Sequence, residues 1–127
     1  MTRVHAAPLA ALIAVCALGC TDQRPPNRSL DQSRARETLV AVLDAWKSGR
    51  SHTDPLESEP SLRVADDDWL AGRRLAEYRL LSGESVVGEK LCCPVALTLE
   101  TPEGRRIQSQ VVYLISTAPD LSVIRAE

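Results

Sequence analysis

The sequence predicts an α+β fold, with one N-terminal helix packed on a curled antiparallel sheet of three or four strands. Three observations carry this prediction. Ala35, Leu39, Val42 or Leu43, and Trp46 recur at helical spacing. Leu91, Cys93, Val95, Leu97 and Leu99 alternate with Cys92, Pro94, Ala96, Thr98 and Glu100 at the period of a strand. Between that run and a second alternating run stands Thr101-Pro102-Glu103-Gly104, a strong turn signal.

The helix is expected over residues 30–48. Ser29, Asp31 and Ser33 offer candidate caps, and Gly49 is a natural stop. Arg34, Arg36, Glu37, Asp44 and Lys47 belong to its wet side, so the apolar stripe must lie on something else. Residues 50–63 read as a loop, because Pro55, Pro60 and several acids interrupt any pattern. Asp66-Asp67-Asp68 precedes Trp69 as a turn or a short helix start. Residues 71–82 carry both a helical and a strand pattern. Gly72 and the hairpin that follows favour a strand over 75–82. Residues 91–100 form the clearest strand, with Pro94 belonging near an edge or a bulge because it has no amide donor. Ile107, Ser109, Val111, Tyr113 and Ile115 return as a long partner strand, and residues 121–125 close with a short one.

Ahead of this body stands a different segment. Arg3, an apolar run over residues 9–18 and small residues before Cys20 have the three-part layout of a secretory signal. The run is about ten residues, half of the roughly 20 that a spanning helix needs. Ala17-Leu18-Gly19-Cys20 resembles the lipobox of bacterial lipoproteins, although Ala17 and Leu18 depart from its usual residues. The resemblance implies cleavage before Cys20, lipid attachment at Cys20 and export to the cell envelope, with the membrane as partner through that anchor. The alternative is cleavage after Ala17, which would leave a soluble periplasmic or secreted protein. The organisation expected is therefore a signal peptide at 1–19, a polar spacer with two prolines at 20–29, and one domain at 30–127.

Composition narrows the functions. Of 15 basic residues only Arg3 precedes Cys20, leaving 14 basic against 17 acidic residues, with no basic face for nucleic acid. Aromatic residues make up 3% of the chain, which disfavours ligands that stack on aromatic faces. Trp46, Trp69, Tyr78 and Tyr113 are better read as core anchors.

No catalytic constellation stands out. His52 is the one histidine after Cys20, and there is no Gly-x-Ser-x-Gly. No metal site and no cofactor are expected, since Cys-x-x-Cys spacing is absent. The three acids before Trp69 lack the alternating spacing of a calcium loop and suit a helix N-terminal cap. Cys92 and Cys93 are a candidate disulfide or thiol pair. Strand neighbours point to opposite faces, however, and Cys93 fits the apolar face as a small core residue.

The element order resembles the cystatin-like group, which includes the nuclear-transport-factor-2-like domains. That resemblance covers residues 30–127 and implies one helix across a curled sheet. It also implies two specific activities. Glu84-Ser85-Val86-Val87-Gly88 is similar to the Gln-x-Val-x-Gly hairpin that cystatins insert into proteases, with Glu in place of Gln. Pro119-Asp120 stands where the second cystatin hairpin carries Pro-Trp. An isomerase on this fold would need a carboxylate in an apolar cone, for which Glu77 or Asp44 would have to serve. The expected function is a non-enzymatic interaction or structural module at the envelope. A ligand-binding or protease-inhibiting domain is the alternative, and a small isomerase is the third.

Overall fold

The computed structural model describes residues 30–126, and all structural statements below concern these residues. The predicted helix is α1, Gln32–Lys47. Asp31 caps it by accepting a hydrogen bond from the Arg34 amide at 3.0 Å, which satisfies one of the free donors of the first turn. At the other end Ser48 is the C-cap, and Gly49 follows with φ of 93°, a conformation that glycine adopts without strain. The buried stripe includes Ala35, Leu39, Val42, Leu43 and Trp46, as the spacing predicts.

Six strands make one sheet: β1 Arg63–Ala65, β2 Arg74–Leu80, β3 Ser85–Val87, β4 Lys90–Glu100, β5 Arg106–Ser116 and β6 Ser122–Arg125. A short helix α2, Asp67–Leu70, follows β1. The strand order is β1-β6-β5-β4-β2, with β3 also paired to β4. The expectation of three or four antiparallel strands is therefore corrected to six strands in a mixed sheet, since β1 runs parallel to β6. The reason is length and distance. β1 and β3 have three residues each, too few for a periodic signal. The partner of β1 lies far along the chain, with Val64 opposite Val123.

β2 and β3 lie along the same side of β4, and residues 81–84 loop out between them. Pro94 sits opposite that interruption. Its carbonyl accepts from the Leu81 amide at 2.9 Å, but it has no N–H with which to continue the ladder. One residue read from the sequence as belonging near a bulge thus accounts for a broken neighbour strand.

The core lies between α1 and one face of the sheet. Leu91, Cys93, Val95, Leu97 and Leu99 of β4 are buried there with Val111, Tyr113 and Ile115 of β5. Leu39, Leu43 and Trp46 fill the same cluster from the helix. Cys92, Pro94, Ala96, Thr98 and Glu100 turn to the opposite face, where they are half-buried.

Candidate functional site

Four places carry the polar and reactive groups of this fold. The first is the cysteine pair on β4. Cys93 is buried on the helix side and Cys92 is half-buried, and both thiols are free. Strand alternation places them on opposite faces, so the fold brings together two neighbours in sequence without bringing their sulfurs together. The Cys93 Sγ lies 3.9 Å from Glu84 Oε1, as a weak donor. Burial, with the Glu84 charge beside it, pushes the Cys93 thiol up to about 11. A thiol held protonated in this way is a poor nucleophile at neutral pH.

Glu84 is the hinge of this small cluster. Arg36 of α1 donates its Nε to Glu84 Oε1 at 2.9 Å and its Nη2 to the other carboxylate oxygen. Those hydrogen bonds hold the Glu84 carboxyl below the ordinary range. The Arg36 to Glu84 clamp thereby fastens the start of the β3–β4 hairpin to α1. Beyond it the hairpin projects into solvent, with Val86 46% and Val87 60% exposed.

The second place is the acidic turn. Asp66 is the N-cap of α2 and accepts from the amides of Asp68 at 2.9 Å and Trp69 at 3.3 Å. This is the capping role read from the sequence. The structure adds cations that spacing did not reveal. Arg125 of β6 donates to Asp66 Oδ1 at 3.1 Å and also to Asp68, while Arg73 donates to Asp68. The Tyr113 hydroxyl donates to Asp66 Oδ2. Burial pushes Asp68 upward, but the Arg125 and Arg73 hydrogen bonds outweigh it and hold this carboxyl below its usual range. Among the described residues, no group of three or more His, Cys, Asp or Glu is arranged to hold a metal ion.

The third is the aromatic end of α1. Trp46 and Trp69 stack with ring centroids 5.2 Å apart, and His52 meets Trp69 edge-on at 6.4 Å. Each indole N–H is satisfied, Trp46 by the Arg73 carbonyl at 3.0 Å and Trp69 by the Arg50 carbonyl at 3.1 Å. His52 is thus a neighbour of a packed tryptophan. It has no place beside the thiols.

The fourth is the pair of carboxylates considered for an isomerase. Asp44 accepts from the Tyr78 hydroxyl at 2.7 Å on an exposed flank of α1. Glu77 stands on the opposite face of the sheet, beside an open groove of about 520 Å³. Neither lies in the apolar space between helix and sheet. Cys20 lies outside the described residues. Among the described residues, no helix is long and apolar enough to cross a membrane. No family model, no curated protein and no solved structure matches this chain.

Proposed function

We propose that this protein is a lipid-tethered, non-enzymatic interaction module of the cell envelope, built on a cystatin-like helix-over-sheet body. The observation that carries the non-enzymatic reading is the filled sheet face. An isomerase on such a fold needs an apolar cavity with a carboxylate inside it. Here Leu39, Leu43 and Trp46 occupy that space in one buried cluster with the strands. Asp66, Asp68 and Glu84 are committed to a helix cap and to ion pairs. The surface is left as the place where function happens.

The tether rests on the lipobox-like Ala17-Leu18-Gly19-Cys20 and on the polar, proline-bearing residues 20–29. Two or more acyl chains on Cys20 would hold the body stably, where one alone is marginal. Expressed in a bacterial host, the full chain is expected to show an intact mass with a diacylglycerol addition and to fractionate with membranes. Cys20→Ala is expected to lose both. Identical soluble products, cut after Ala17 in both proteins, would end the lipoprotein reading.

One observation favours a second reading. Val86 and Val87 sit exposed on the hairpin that resembles the inhibitory wedge of cystatins, ahead of Gly88 with φ of 63°. On that reading the purified protein lowers the activity of papain, and changing Val86 and Val87 together to aspartate abolishes the effect. Unchanged papain activity across a titration with the folded protein excludes it.

A further inference from the structure

One half of β5 has a neighbour on only one side. Along the β4 flank its pairing is continuous, from Glu100↔Arg106 to Leu91↔Ile115. On the other flank β6 covers only residues 113–116, and the Ala126 amide then donates to the Val112 carbonyl at 2.8 Å. Among the described residues nothing pairs with residues 106–111 on that flank. In an antiparallel ladder, alternate residues turn their N–H and C=O to the same side. Since Val112 faces the β6 side, Gln110 and Gln108 do as well, and both residues are exposed. An open groove of about 680 Å³ lies alongside, lined in part by Gln110, Val112, Arg125 and Ala126.

Unpaired edges invite another strand unless they are blunted. The β2 edge is blunted by a register shift between Leu75 and Glu77 and by Arg74, Glu77 and Arg79. Residues 107–111 carry no charge, no proline and no bulge. They read Ile107-Gln108-Ser109-Gln110-Val111, a sequence with the same side-chain classes in both directions. A strand of this kind is complementary to itself when reversed.

We propose that residues 107–111 of β5 pair antiparallel with the same residues of a second copy, forming a two-fold dimer with one continuous sheet. The axis passes at Ser109. Gln108 then meets Gln110 of the second copy, and by symmetry the two pairs exchange four backbone hydrogen bonds through groups that have no partner among the described residues. The same register sets amide side chains opposite each other on one face. On the other face Ile107, 37% exposed in the single chain, meets Val111 of the second copy. No like charges are opposed anywhere in the paired segment. This interface goes beyond the tethered-module reading and does not depend on it, because the β5 edge is the same with or without lipid on Cys20. A membrane anchor would raise the local concentration of copies.

Ser109 offers a register-specific test. At the axis it forms a non-hydrogen-bonded pair with Cα atoms about 4.5 Å apart, within disulfide range. Ser109→Cys is made in the full chain carrying Cys92→Ser, oxidised with copper phenanthroline in both the membrane and the soluble fraction, and run on a non-reducing gel. The expected result is a covalent dimer, absent from the Cys92→Ser parent and from Glu103→Cys at the β4–β5 turn. Adding Gln110→Pro removes an outward N–H and leaves the β4 ladder intact, so it is expected to abolish the dimer with an unchanged far-UV circular dichroism spectrum. A folded Ser109→Cys protein that stays monomeric overturns the proposal. So does equal cross-linking at Glu103→Cys, which would mark random collision. Slow amide exchange at Gln108 and Gln110 in a protein that sediments as a monomer also overturns it, by showing that another segment of the same chain covers the edge. Intact mass of the same samples reports the lipid separately, so either idea can fail alone.

Discussion

Asp66→Ala is expected to destabilise the domain by about 3–5 kcal/mol, the cost of removing one partner from a buried charged network. Asp66 is 3% exposed and does three jobs at once. Its Oδ1 caps α2 and accepts from Arg125, and its Oδ2 accepts from the Tyr113 hydroxyl. Alanine leaves the Tyr113 hydroxyl buried without a partner and takes from Arg125 one of two carboxylates. Loss of an N-cap alone accounts for about 1 kcal/mol of the total. Tyr113→Phe, which keeps the ring and removes only the donor, is expected to cost about 1–3 kcal/mol. Urea unfolding followed by circular dichroism gives both values. A loss below about 1 kcal/mol for Asp66→Ala would mean that the network does not hold β1 and α2 to the sheet.

The same network sets a pH window. Asp68 has a folded pKa below its unfolded value of about 3.9, so its contribution is fully present above that value. It is lost as pH falls through the folded value. Tyr113 works in the opposite sense, because burial and the Asp66 charge raise its pKa. Its contribution is present below about pH 10 and is lost as pH rises beyond that. Within this network Asp68 therefore sets the loss on the acid side and the buried Tyr113 phenol the loss on the alkaline side.

The parts of this fold legible in the sequence are those with long local periods. α1 and the β4–β5 hairpin repeat their apolar residues over enough positions to declare both type and facing. The β1–β6 pairing was hidden because three residues cannot show a period and the partner strand lies at the other end of the domain. The candidate sites divide in the same way. Asp66 could be read as a cap because capping is a relation between neighbours. Its bonds to Tyr113 and Arg125 join residues 47 and 59 positions apart, and no spacing rule points to them. The Arg36 clamp on Glu84 spans 48 positions and was equally silent. The unpaired half of β5 was invisible for another reason. Its side chains alternate normally, and only the backbone pairing among the described residues shows residues 106–111 without a partner on the β6 flank.

Trp46→Ala is expected to cost about 3–5 kcal/mol, the range for truncating a large buried aromatic. Trp46 is 3% exposed and closes the C-terminal end of the helix-to-sheet core. It lies nearly parallel to Trp69, with planes 12° apart, and its Nε1 bonds the Arg73 carbonyl. Removing it therefore opens a void, breaks the stack and leaves that carbonyl without its indole donor. Trp46→Phe separates these effects, since it retains a ring for stacking but has no N–H and less volume. It is expected to lose roughly half as much as alanine. A double-mutant cycle with Trp69→Ala should give a coupling of about 0.5–1.5 kcal/mol, the value of an aromatic pair beyond its burial. Denaturant midpoints supply the energies, and loss of the near-UV dichroism of the coupled indoles reports the stack. Additive losses would show that the two rings touch without supporting each other. In that case each ring would contribute through its own burial, and the stack would add nothing further.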